Sequence, residues 1–439
     1  MNARLNKLLA TLAETFWLVP AALVLFGIAA AMVMLAIDRN ALIPVALLEG
    51  PWLYNGGATG ARTLLGAVAS STIGVAGTVF SITIAALSLA AGQMGPRLLR
   101  NFTKDRGNQI TLGIFLGTFS YALVVLRSVR TRAEGEFIPH SALTLGILLA
   151  FVCVGTLVYF VGHMAGRINV DTVIELVSDD VSSAIRRLTS EDEVASLPDE
   201  TFWAGAVAVI DERRGYLQHL DHDGLADWAS AHDVCLRLLS RPGDYRFPGT
   251  PIAEVLPAHE EADDAIRNAT AMGPARVSSQ DLEFAIRQLV EVAVRALSPG
   301  INDPHTAIIV LDRLGAALCD VSAVHLSSGV TQRAGRVVLV VPSVDYGGLT
   351  DSMFHMIRQN AAGSTAVLMR IIEVLTAVVS CEPDAARRDA LQRHADLVLH
   401  DALRDISTPG DLGDVMARHA TFLTARASTD GRSIQMNRS

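Results

Sequence analysis

Residues 64–92 read LLGAVASSTIGVAGTVFSITIAALSLAAG, and no charged side chain occurs between Arg62 and Arg97. A helix over Leu64–Ala91 exceeds the roughly 20 residues that cross a hydrocarbon core of about 30 Å. The stretch therefore predicts a membrane helix that tilts or protrudes from the bilayer. Three more uncharged segments, 16–37, 107–126 and 141–162, fit the same reading. The first ends in Ala36-Ile37-Asp38-Arg39 without the small-residue cleavage site of a secretory leader, so it is read as a retained anchor.

Within 64–92, Ser70, Gly74, Gly77, Ser81, Ala85, Ser88 and Gly92 recur at steps of three and four, which places them on one helix face. That stripe is either a packing seam, where small residues let helices approach closely, or the lining of a water-filled path with Gln93 at its mouth. Small-residue seams are the commoner device, and no intramembrane acid or base marks an ion path. The following Gln93-Met94-Gly95-Pro96-Arg97 ends the helix, because proline disfavours helical geometry in the residue before it. Arg97 and Arg100 then sit where lipid phosphates or the helix C-terminal dipole attract them.

Charge divides the chain of 439 residues unevenly. The first 166 residues hold 11 basic and 6 acidic side chains, leaving 25 basic and 39 acidic ones behind them. An acidic C-terminal part repels phosphates, which excludes nucleic acid as an expected partner. Arg4, Lys7, Arg97, Arg100, Lys104, Arg106 and Arg167 fall on one side of the bilayer and Arg39, Arg62, Arg127, Arg130 and Arg132 on the other. The dense loop from Arg97 to Arg106 places both termini in the cytoplasm.

Lys7 and Lys104 are the only lysines, so Schiff-base chemistry, biotinyl or lipoyl attachment and a P-loop lysine are unavailable to the C-terminal part. Cys153, Cys235, Cys319 and Cys381 show no C-x-x-C spacing and read as small apolar residues. No metal and no cofactor is expected. The absence of G-x-S-x-G, H-E-x-x-H and kinase-type motifs leaves no catalytic residue to name.

Beyond Arg167 the pattern turns polar. Val173, Ile174, Val177, Val181, Ile185 and Leu188 form an apolar stripe on a stalk or bundle helix. Strands are expected at Phe202–Ile210, Gly215–Leu220, Val234–Leu239, Pro251–Leu256 and Val337–Val341, and helices at Ala262–Met272, Ser279–Ala296, Asp303–Leu318 and across Leu349–Asp405. The fold class is membrane α-helical with four transmembrane helices plus a cytoplasmic α+β domain, mostly helical with a small mixed or antiparallel sheet. The expected divisions are 1–166 in the membrane, 167–200 as stalk and linker, 201–260 as a β-rich subdomain, 261–424 as a mainly helical one, and 425–439 as a disordered tail.

Phe80–Phe102 (FSITIAALSLAAGQMGPRLLRNF) with its continuation to Gln109, the AIRQLVEVAVRALSPGINDPHTA stretch within Phe284–Leu314, and GYLQHLDHDGL at Gly215–Leu225 resemble a bacterial family of predicted membrane proteins with a domain of unknown function. The resemblance implies a multi-pass inner-membrane protein and brings no activity, substrate or catalytic residue.

Two polar clusters remain. Ser298-Pro299-Gly300-Ile301-Asn302-Asp303-Pro304 separates two helices, with Asp303 as N-cap and Pro304 at the first helical position. The same turn offers Asn302, Asp303 and His305 around a helix N-terminus as ligand-binding candidates. His219, Asp221, His222 and Asp223 crowd together, but in a turn before a helix they are ordinary capping or solvated residues. The expected protein is a homo-oligomer in the lipid bilayer, channel-like with helix two near its axis and an unknown small ion or ligand. The alternative is a membrane-anchored scaffold that binds a ligand or partner without transport.

Overall fold

The computed structural model describes residues 16–40, 57–94, 105–130, 137–167, 170–190, 195–276 and 282–436. The described residues form two compact units, one within 16–92 and 105–172 and the other within 173–436 together with 93 and 94.

In the first unit four helices are long and apolar enough to cross a membrane: α1 (Leu18–Arg39), α2 (Ala58–Met94), α3 (Arg106–Ser128) and α4 (His140–Arg167). The expected start of α2 at Leu64 is corrected, since the helix extends back past Arg62. Arg62 does not stop it, because its guanidinium donates to the Val129 carbonyl at 3.0 Å. At 37 residues α2 is roughly 55 Å long, far more than a hydrocarbon core needs.

α1 and α3 pack most closely. A Cβ on Gly27 would lie 2.4 Å from the Gly117 carbonyl oxygen, and one on Gly117 would lie 2.8 Å from that of Leu23. Gly117 thus lets backbone meet backbone, and Gly113, four residues earlier on α3, makes room for the Leu23 side chain. At the far end of α1 the Asp38 carboxylate accepts from the Ser141 and Ala142 amides at 3.2 and 3.0 Å. A carboxylate from one helix caps the N-terminus of another. Tyr121 adds a buried link, donating its hydroxyl to the Ala142 carbonyl at 2.7 Å.

The second unit begins with α5 (Val170–Leu188), whose Val173, Ile174, Val177, Val181 and Ile185 are buried as the stripe anticipates. After it, β1 (Thr189–Ser190) pairs antiparallel with β8 (His325–Leu326), and a five-stranded mixed sheet has the order β2 (Val207–Asp211), β6 (Thr250–Leu256), β4 (Cys235–Leu238), β10 (Arg336–Val340) and β9 (Val330–Arg333). Every pairing is antiparallel except β10 with β4. α6 (His222–Ala231) and α7 (Ala262–Ala269) bury Leu225, Ala229 and Ile266 against Leu236, Ile252, Val255 and Leu339 of the sheet. A three-stranded antiparallel sheet joins β5 (Tyr245–Arg246), β3 (Gly215–Leu220) and β7 (Thr270–Gly273).

The helical part comprises α8 (Leu282–Ala296), α9 (Pro304–Ser322), α10 (Tyr346–Asn360), α11 (Thr365–Cys381), α12 (Ala385–Asp405) and α13 (Pro409–Met436). α8 packs on α9 and α10, and α11 on α9, α12 and α13.

Three expectations differ here. Phe202 and Trp203 belong to a 3-10 turn (Glu200–Trp203) rather than to β2, because the Trp203 ring tucks under the Arg237 guanidinium. The helix expected to reach Met272 stops at Ala269 and hands Thr270–Gly273 to β7. The tail expected to be disordered from 425 is helical to Met436, and Arg426 and Asp430 pair with Asp389 and Arg388 of α12. Its polarity reflects ion pairing across helices rather than solvation alone.

Gly117→Val should lower the thermal midpoint of the detergent-solubilised protein by the equivalent of about 1–3 kcal/mol of overpacking. Gly155→Ala, a position with nothing within 4 Å, should leave it unchanged.

Candidate functional site

On α2 the buried residues are Ala58, Ala61, Leu65, Ala69, Thr72, Ala76, Val79 and Ala86, a stripe at steps of three, four and finally seven residues that packs inside the unit. Ser70, Gly74, Gly77, Ser81, Ala85 and Ser88 are all exposed. At about 100° per residue the two stripes are centred roughly half a turn apart. The small-residue face is therefore not the seam within the protomer. Gly74 and Gly77 have nothing within 4 Å of where a Cβ would stand.

Elsewhere this unit exposes bulky side chains such as Leu25, Phe26 and Val33 on α1 and Phe151, Val154 and Val158 on α4. Large apolar groups also flank the small face, Ile73, Phe80 and Ile84 on one side and Ile82 and Leu89 on the other. The Ser70 and Ser81 hydroxyls donate to their own helix, to the Ala67 carbonyl at 3.2 Å and the Gly77 carbonyl at 2.9 Å. The side chain of Gln93 and the whole of Arg97 and Arg100 lie outside the described residues.

A polar stripe absent from the sequence reading runs inside the unit along α3: Asp105, Asn108, Thr111 and Thr118 are all buried. It faces α4, where Cys153 contacts the Thr118 hydroxyl at 3.4 Å and His163 Nε2 lies 2.7 Å from the Asp105 carboxylate. Asp105 also caps α3 by accepting from the Gly107 amide at 3.0 Å. The spacing of three, three and seven residues was the available signal, masked by the uncharged character of most of its members.

In the second unit Asp303 caps α9, accepting from the Thr306 amide at 3.2 Å and the Thr306 hydroxyl at 2.6 Å. Asn302 takes the left-handed conformation, φ 49°, and its amide donates to the Ser298 carbonyl at 2.8 Å. The Ile301 and Asp303 amides are likewise spent on Ser298 and Ala296. Asp303 thus holds, with its own negative charge, the donors an anion would need. His305 begins the first turn of α9 beside it and is exposed.

Asp221, His222 and Asp223 of the other cluster also resolve into separate pairings, one local and the others with β9. Asp221 caps α6 through the Gly224 amide, His222 Nε2 contacts the Thr331 hydroxyl at 2.9 Å, and Asp223 and Asp227 share Arg333. Among the described residues one set of side chains does converge with metal-ligand geometry: Asp351, His355 and His394, from α10 and α12. The Asp-x-x-x-His spacing on α10 was visible in the sequence, but its third member lies 39 positions on, in a different helix.

A family model described as predicted membrane protein (DUF2254) matches residues 13–377. Uncharacterized proteins of Mycobacterium tuberculosis and Mycobacterium bovis are each 31% identical to the chain over 446 aligned residues, which cover 98% of this chain and 84% of the relative. No solved structure matches.

The Thr306 hydroxyl, with the Thr306 and His305 amides, holds the Asp303 carboxyl below the usual aspartate range. Its capping contribution is therefore present above the ordinary aspartate value and lost as pH falls through the depressed one. Asp303→Ala should cost about 1 kcal/mol near neutral pH. In thermal melts the gap between variant and wild type should close on acidification.

Proposed function

We propose a function for this chain, which belongs to the DUF2254 family of predicted membrane proteins: it assembles as a homo-oligomer in the inner membrane through the small-residue face of α2. Copies of α2 surround the symmetry axis and line a conduit for a small solute or ion. The C-terminal unit regulates that assembly from the cytoplasm, a side supported for both termini by the density of basic residues from Arg97 to Arg106 in the sequence.

One observation carries the reading. The Ser70–Ser88 face points away from its own protomer and lacks the bulky apolar residues that the unit otherwise turns outward. Small residues add little by facing lipid, since tails gain few contacts from them, whereas they permit close helix contact. The Ser70 and Ser81 hydroxyls bond back to the helix and leave outward lone pairs, which suits either a neighbouring helix or a file of water.

The same back-bonding favours a second reading, in which the face is a dry seam that holds a membrane-anchored scaffold together without transport. Light scattering of the detergent-purified full chain and flux from liposomes separate the two. Gly74→Leu with Ser81→Leu should reduce the wild-type oligomer to a smaller species without lowering the thermal midpoint of the protomer, and should abolish flux. An oligomer that conducts nothing supports the scaffold. A wild-type chain that is monomeric, or an oligomer indifferent to the two leucines, overturns both.

A further inference from the structure

We propose that Asp351, His355 and His394 bind one divalent first-row transition-metal ion, with zinc the best match. The three ligating atoms all lie within 4.8 Å of one another. One Asp351 carboxylate oxygen stands 3.1 Å from His355 Nε2 and 3.0 Å from His394 Nε2. Zinc bonds of about 2.0–2.2 Å in a tetrahedron put neighbouring ligands roughly 3.3 Å apart, so two edges are already close to the required length. The imidazole centroids are 4.9 Å apart with planes at 59°, an arrangement that lets both rings address one point rather than stack.

The second observation is an orphaned buried side chain. His394 is fully buried, its Nδ1 has no hydrogen-bond partner among the described residues, and its Nε2 meets only the Asp351 oxygen, at 3.0 Å and in poor hydrogen-bond alignment. Burying an imidazole in this way costs free energy that a bond at one nitrogen offsets.

Two nitrogens and one carboxylate oxygen disfavour magnesium and calcium, which take oxygen ligands. Three protein ligands also leave a fourth position for water or a further group, unlike a closed structural site. Asp351 and His355 are about a third exposed, which gives the ion a route in.

Arg393 competes for the site, because its guanidinium already pairs with the same Asp351 oxygen. It is 47% exposed and also lines an open groove with Asp389 and Asp396, carboxylates that already meet Arg426 and His419 and can share a further cation once Arg393 leaves. Removing this competing positive charge should therefore strengthen cation binding.

The experiment uses the full chain, produced without a histidine tag, stripped with chelator and titrated with Zn2+ against a chromophoric chelator. Co2+ replaces Zn2+ in a parallel visible-absorption titration. One ion per chain is expected, with cobalt bands of the intense tetrahedral type. Asp351→Asn and His355→Gln, both at partly exposed positions that spare the core, should weaken binding more than about 100-fold, beyond the usual cost of an outer-shell partner. His259→Gln should change nothing, and Arg393→Gln should tighten binding several-fold. Failure of the wild-type chain to take up a stoichiometric ion overturns the assignment. So does a loss smaller than about ten-fold in both ligand variants.

Discussion

The contact between α1 and α3 at Gly27 and Gly117 sets the geometry of the membrane unit, because there the two backbones meet with no side chain between them. In a bilayer, lipid tails are as apolar as leucine, so helices gain association from close contact rather than from burial. With that approach fixed, Asp38 at the end of α1 is carried to the start of α4, where two orphan amides need acceptors. Tyr121 on α3 reaches the same turn. The three helices are thus tied by groups that would each be costly unpaired in hydrocarbon, and α2 is left to pack by one stripe only.

The second unit solves a different problem with a different residue. It holds its helices together with arginine, and the absence of lysine beyond Lys104 has a structural counterpart. Arg387 donates to the Val321 and Val324 carbonyls at the end of α9, both at 3.1 Å. Arg388 donates to the Glu382 and Pro383 carbonyls and also meets Asp430. Arg358, nearly buried, pairs with Asp401. A planar fork with five donors can serve a carboxylate and several carbonyls together, which a single ammonium on a flexible stem does poorly. Glu382, fully buried among these groups, has its carboxyl pushed up by desolvation.

The four membrane helices were legible from the sequence because an uncharged apolar run of spanning length is hard to place anywhere but in a bilayer, and the cap at Asp303 because capping is local. Residues that depend on chain reversal were not. Nothing near His394 announces that residues 39 and 43 positions earlier will face it. The buried face of α3 was hidden because Asn108, Thr111 and Thr118 look like ordinary polar interruptions until their burial is known. For α2 the small-residue stripe was evident in the sequence, but which way it points was not. The stripe of Ala58, Ala61, Leu65 and Ala69 is built from nearly the same kinds of residue, and only packing distinguishes the two.

The parallel pairing of β10 with β4 has a consequence for how the chain is made. Leu339 lies beside Leu236, so a central strand of the sheet is supplied by residues about a hundred positions later, after α7, α8 and α9. Until the ribosome has passed residue 340, β4 is an open sheet edge, able to pair with any extended segment nearby. Meanwhile the apolar helices have already emerged, so the nascent chain waits at the membrane with its sheet unfinished. A chain cut short between α9 and β10 would keep its anchor and expose that edge, which makes premature termination there a route to membrane-bound aggregates rather than to a smaller working protein.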